Sequence, residues 1–109
     1  MNNQLSKSLQ IEFNDNNILS SLFGVADSNI QLLEKINNVK IEYRGNVVKI
    51  SGNKLSTQET KLTLEKLFDE AKKGIEIDEE KIKDIKSLLT LDIDDDFKQV
   101  FLFKQKKGK

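Results

Sequence analysis

The chain has 109 residues, 18 of them basic and 18 acidic, with 37% hydrophobic residues. That is one domain's worth of chain, able to bury roughly 60–70% of its unfolded surface around one modest core; its balanced charge gives no global positive field to steer nucleic acid, so any basic footprint must be local. There is no Cys and no His, which excludes a disulfide framework, thiolate chemistry and Ser-His or Cys-His nucleophilic pairs, and leaves a zinc site carboxylates alone.

Residues 1–8 carry no apolar pattern and are expected to be a flexible N-terminus. Leu9, Ile11 and Phe13 alternate with Gln10 and Glu12, the period of a half-buried strand. Asn14 and Asp15 can cap the helix that follows, in which Ile18, Leu19, Leu22 and Phe23 recur at helical spacing. Gly24 ends it, because glycine accepts a left-handed backbone. Asp27 or Ser28 is expected to cap a second helix with Ile30, Leu33 and Ile36 on one face and Asn37-Asn38 at its end. Val39, Ile41 and Tyr43 alternate as a strand, Gly45-Asn46 is a two-residue hairpin signal, and Val48 and Ile50 continue the returning strand. This alternation places Tyr43 in the core, the other reading of this aromatic being a stacking contact with a base.

Ser56-Thr57-Gln58-Glu59 has the spacing of a capping box. A long helix with Leu64, Leu67, Phe68 and Ala71 as its buried stripe is expected after it, closing at Lys72-Lys73-Gly74. Asp78 then caps a further helix bearing Ile82, Ile85 and Leu89. The predicted order is β-α-α-β-β-α plus an extra helix. It implies an α+β fold, KH-like of type I, with a three-stranded antiparallel sheet and helices on one face. Domain boundaries are expected at 9–90 for this unit and 91–109 for a tail: acidic from Leu91 to Asp96, aromatic and apolar from Phe97 to Phe103, basic from Lys104. The first ten residues lack the apolar segment of a secretory signal, and no apolar run reaches the ~20 residues that span a bilayer, so a cytoplasmic protein without a membrane partner is expected.

Phe23-Gly24, Asp27-Ser28-Asn29, Leu32-Leu33-Glu34, Arg44-Gly45-Asn46 and Ile50-Ser51-Gly52, followed by a helix ending AKKG, form spaced blocks in one order. Residues 9–90 thereby resemble the N-terminal region of PhoH-like proteins, in which a KH-like domain precedes a P-loop ATPase domain. The resemblance implies ATP binding and hydrolysis, with Mg, for a complete protein acting in RNA metabolism. This chain has no G-x-x-x-x-G-K-[ST] sequence to cradle nucleotide phosphates. It is therefore expected to be no enzyme by itself and to hold no cofactor, as an excised domain or a truncated product whose tail runs toward an ATPase domain.

Gly24 to Asp27 occupies the place of the KH G-x-x-G loop, whose glycines let the backbone approach phosphates beside a helix N-terminus. Here Val25 and Ala26 replace the usual basic pair, and Asp27 replaces the second glycine. The candidate RNA-binding residues are Gly24, Val25, Ala26, Ser28 and Asn29 at the loop and Lys40 and Arg44 on the hairpin. Arg44 is the chain's one arginine and is suited to forked phosphate contacts. Against these stand plainer readings: a capped helix-turn-helix joint and a solvated strand face. Asp92, Asp94 and Asp96 begin like a calcium loop, but Phe97 holds the position that must be glycine. Phe97, Phe101 and Phe103 are candidates for an interface with the ATPase domain or another subunit, or for packing on this domain's own sheet. Two functions are open: single-stranded RNA recognition, or a protein-interaction and oligomerisation module that contacts other subunits or a ribonuclease partner without touching RNA.

Overall fold

The computed structural model describes residues 6–89. Three strands and four helices follow one another as β1 (Ser6–Glu12), α1 (Asn16–Phe23), α2 (Ser28–Asn37), β2 (Lys40–Arg44), β3 (Val47–Asn53), α3 (Lys54–Lys72) and α4 (79–89). The fold is α+β, and the elements run β-α-α-β-β-α-α with one addition, a single turn of 3-10 helix at Val25–Asp27 between α1 and α2. The sheet is antiparallel throughout, in the order β1-β3-β2, so the last strand lies between the other two. Val48 and Ile50 of this central strand are wholly buried.

Strand alternation makes the sheet two-faced. Ile11, Ile41, Val48 and Ile50 face the helices and join Leu19, Leu22, Leu33, Leu64, Leu67 and Ile82 in one core. Ser8, Gln10, Glu12, Lys40, Glu42, Arg44 and Lys49 are exposed on the other face. β1 begins at Ser6, where Ser6 pairs with Asn53. Residues 6–8 thus belong to the sheet and not to a flexible N-terminus. The hairpin turns at Gly45 with φ +61°, while Asn46 is not left-handed. That is a type II′ turn, which needs glycine at its first central position. Asn46 also ties the turn to the end of β1, its amide donating to the Phe13 carbonyl while Phe13 N–H donates to Asn46 O.

The helix ends correct one expectation. α3 starts at Lys54, and its cap is Asn53, whose Oδ1 accepts from Ser56 N–H at 2.7 Å. Ser56 and Glu59 are therefore inside the helix and make no capping box. Glu59 instead accepts from Lys86 Nζ at 2.8 Å, and Lys81 reaches Glu70 at 3.4 Å, so two ion pairs pin α4 along α3. Asp15 and Asp78 cap as expected, accepting from Ile18 and Lys81 amides at 3.0 and 2.9 Å. Thr57, Thr60 and Thr63 lie wholly buried along α3, each hydroxyl bonded back to a carbonyl of its own helix. Thr60 also accepts from the buried amide of Asn37, which joins α2 to α3.

Replacing Asn53 by Ala should cost about 0.5–2 kcal/mol in urea unfolding, against little for Ser56→Ala. Equal losses for the two would restore the capping-box start.

Candidate nucleic-acid interface

The chain reverses direction between α1 and α2 over four residues. α1 cannot continue because Gly24 takes φ +83°, its N–H closing the helix on Ser20 O. Ala26 and Asp27 then both adopt the left-handed region, at φ 52° and 59°. Side chains with a Cβ visit that region at a cost, and a residue held there is over-determined by its surroundings. Two contacts supply that surrounding force. The Tyr43 hydroxyl of β2 donates to both Asp27 oxygens at 2.9 Å. From within, Asn29 donates both amide hydrogens to backbone carbonyls, Leu22 O at 2.8 Å and Ile77 O at 3.0 Å. A Cβ on Gly24 would come within 2.8 Å of that Asn29 nitrogen, so glycine is required here by space as well as by φ.

Three assignments change as a result. Asp27 holds the position before α2, but its carboxylate makes no cap bond and turns to Tyr43 instead. Tyr43 is not a core residue: it is 42% exposed, lying against Phe23 with ring centroids 4.3 Å apart. Asn29 is not an exposed RNA contact, because it is buried and both hydrogens of its amide are used inside the fold.

Between the loop and the hairpin lies a cleft of about 300 Å³. It is lined by Asn16, Ser20 and Phe23 of α1, Asp27 of the loop, and Tyr43 and Gly45 of the hairpin, with the Phe23 and Tyr43 rings in contact with each other. No lysine or arginine lines it. On the far side of the loop a second groove runs past Val25 and Ser28 and is edged by Glu76, Asp78 and Glu79. Lys83, hydrogen-bonded to Glu79, holds that carboxyl below its usual range, with Lys35 adding a smaller pull. The loop tip itself is apolar and bare, with Val25 87% exposed.

The expected site is thus divided. Gly24, Val25, Ala26 and Ser28 are together at the loop. Lys40 and Arg44 belong to the alternate positions of β2, on the open face of the sheet, away from the helices. Lys40 is paired there with Glu42 at 3.7 Å. Phe97, Phe101, Phe103 and the acidic run Asp92 to Asp96 lie outside the described residues. Among the described residues no cluster of side chains has metal-ligand character, and no helix is long and apolar enough to cross a membrane.

Sequence reasoning missed Glu34. Its carbonyl accepts the N–H groups of Asn38 and Val39, closing α2, and its Oε2 accepts Ile41 N–H at 2.8 Å. One residue thereby fixes the edge strand against the helix end. No periodicity signals it, since the residue sits beside the apolar stripe and not on it.

No family model, curated protein or solved structure matches the chain.

The Tyr43–Asp27 bond has a spectroscopic consequence, since Tyr43 is the chain's one tyrosine. The hydrogen bond to Asp27, then partial desolvation, then the carboxylate's charge raise the phenol above its ordinary value near 10. A phenol whose folded pKa is raised stabilises the fold fully below the unfolded pKa, and that contribution is lost as pH rises through the folded value. Ultraviolet titration should show one phenol ionising above the free value, returning toward it in Asp27→Asn. An unchanged midpoint in that variant would remove Asp27 as the cause. Separately, Asn29→Ala leaves two buried carbonyls without donors and should cost about 1–3 kcal/mol or more in urea unfolding.

Proposed function

We propose that this chain is the KH-like N-terminal domain of a PhoH-like ATP-binding protein of RNA metabolism, and that the cleft between α1, the loop and β2 receives single-stranded RNA. The observation that carries this reading is the cleft itself. It lies between a helix-turn-helix and a hairpin, with an aromatic pair at its wall and polar groups of Asn16 and Ser20 beside it. Single-stranded bases are held by stacking on aromatic faces and by hydrogen bonds to their edges. ATP and Mg belong to the ATPase domain of the complete protein and are given no place in this chain.

The mode of contact follows from the charges. With Asp27 at the loop and no cation lining the cleft, the backbone phosphates gain little there, so recognition is through bases. Salt dependence of nucleic-acid affinity counts the phosphates that cations neutralise. Labelled single-stranded RNA titrated against the protein should therefore bind weakly, with a shallow slope of log affinity against log salt, on the order of one or two phosphates. Tyr43→Ala should lower affinity, and Lys40→Ala should change it little.

A second reading is favoured by the bare Val25 tip above an acid-edged groove. There the same domain is a protein-interaction or oligomerisation module with no RNA contact. Absence of RNA binding at low salt, together with a particle size that grows with concentration and shrinks in Val25→Glu, would replace the first reading with this one.

A further inference from the structure

β1 is an edge of the sheet, because the order β1-β3-β2 gives it a single paired neighbour. We propose that this edge pairs with β1 of a second copy of the chain, antiparallel and centred on Gln10, joining two three-stranded sheets into one of six strands. The pairing does not depend on the RNA reading, whose cleft lies beside β2 at the opposite edge. Both outer edges of the joined sheet would belong to β2, and the two loop clefts would stay open.

The edge is regular and unguarded. Phe13 N–H donates to Asn46 O across the β3 side, and inward bonding alternates along an antiparallel strand. Leu9 and Ile11 therefore bond inward, and the backbone groups of Ser8, Gln10 and Glu12 point outward. Among the described residues no hydrogen bond reaches those outward groups. Ser6 to Glu12 pair with Asn53 to Val47 without a bulge, and the chain has no proline. Bulges and prolines are two of the devices that protect an exposed edge from other strands. The opposite edge is better protected. β2 has five residues, Glu34 takes the Ile41 N–H, and Lys40, Glu42 and Arg44 alternate along it as charges.

Symmetry makes β1 complementary to itself. A two-fold axis through Gln10, normal to the sheet, sets each Gln10 opposite the partner's Gln10 and each Ser8 opposite the partner's Glu12. No like charges oppose each other there, whereas centring on Glu12 would face two carboxylates. On the helix side the half-buried Leu9 meets the partner's Ile11, and Lys7 meets the partner's Phe13. Phe13 lines a groove of about 440 Å³ with Glu12, Glu65, Asp69 and Lys72, three carboxylates against one cation. Lys7 is exposed and makes no ion pair among the described residues. Each Lys7 thus arrives at the other copy's acid-edged groove, an attraction made twice. With 18 basic and 18 acidic residues, no net charge drives two copies apart.

Sedimentation equilibrium of the 109-residue protein reads this directly. The mass should rise with concentration from one copy toward two and stop there. Gln10→Pro removes an outward N–H and leaves the β3 ladder whole, so it should remain a single copy over the same range. Lys7→Glu turns both attractions into repulsions and should raise the dissociation constant about tenfold. Val25→Glu, at the loop tip, should leave the dimer intact. Because the chain has no Cys, Gln10→Cys probes the register. On the axis its α-carbon lies about 5.5 Å from its mate, within disulfide reach, so oxidation should link the two copies, while Glu12→Cys should not link. A mass of one copy at every concentration up to about 1 mM, a mass that grows beyond two, or a dimer that survives Gln10→Pro would overturn the pairing. A dimer lost in Val25→Glu would overturn it in favour of contact through the loop tip. An unchanged constant in Lys7→Glu, or linking through Glu12→Cys in place of Gln10→Cys, would overturn the register. Should Gln10→Pro fail to fold, judged by circular dichroism, Gln10→Lys decides, since it opposes two cations across the axis; a dimer of unaltered strength in that variant overturns the pairing.

Discussion

Asn29 spends both hydrogens of a buried side-chain amide on backbone carbonyls that belong to different parts of the chain, one at the end of α1 and one in the segment leading to α4. Much else in the helical layer depends on this. It holds the end of α1 against the start of α2, so the four residues between them must turn within a small space. It also fixes Ile77, whose side chain enters the core ahead of Ile82 and Ile85. A buried amide with both carbonyl partners present stabilises modestly, but either partner left without it costs the full desolvation of that group. The geometry is thereby made discrete, because intermediate positions leave a carbonyl unsatisfied.

The loop's strained backbone follows from that clamp on one side and from Tyr43 on the other. Ala26 and Asp27 in the left-handed region would relax if either hold were released. β2 reaches the loop because α2 ends where it does. Asn38 takes the left-handed turn at φ 55°, and Glu34 captures the amides on both sides of the reversal. The strand then emerges with Ile41 in the core and Tyr43 one step beyond it, over Phe23. Tyr43 has the parity of a core residue and the height of a rim residue, which gives it an apolar flank and a polar tip that can reach Asp27.

Electrostatically the molecule separates two features that a phosphate-binding module combines. The exposed cations at Lys40, Arg44 and Lys49 share the open sheet face with Glu12 and Glu42, while the cleft beside the loop has a carboxylate and no cation. A phosphate-tracking ligand would find cations on the open sheet face and none lining the cleft. In the proposed function this separation leaves base edges, and not phosphates, as the source of selectivity.

The amino-acid sequence by itself determined the element types and their order. Period-two alternation in Ile11–Phe13 and Val39–Tyr43, helical spacing in Leu19–Phe23 and Leu64–Phe68, and glycines at 24 and 45 are local signals that act through local physics. It also determined the place of the loop, since Gly24 is required wherever α1 must stop. Only the tertiary structure decided what the polar side chains do. Asp27 abandons the helix cap it could have made for a hydroxyl sixteen residues away, Asn29 leaves solvent for carbonyls at Leu22 and Ile77, and Asn53 takes the cap that Ser56 was spaced for. Each choice depends on which partner packing brings within 3 Å, and sequence separation does not encode that distance. Apolar periodicity is read along one element at a time, whereas a hydrogen bond is settled between elements once they have met.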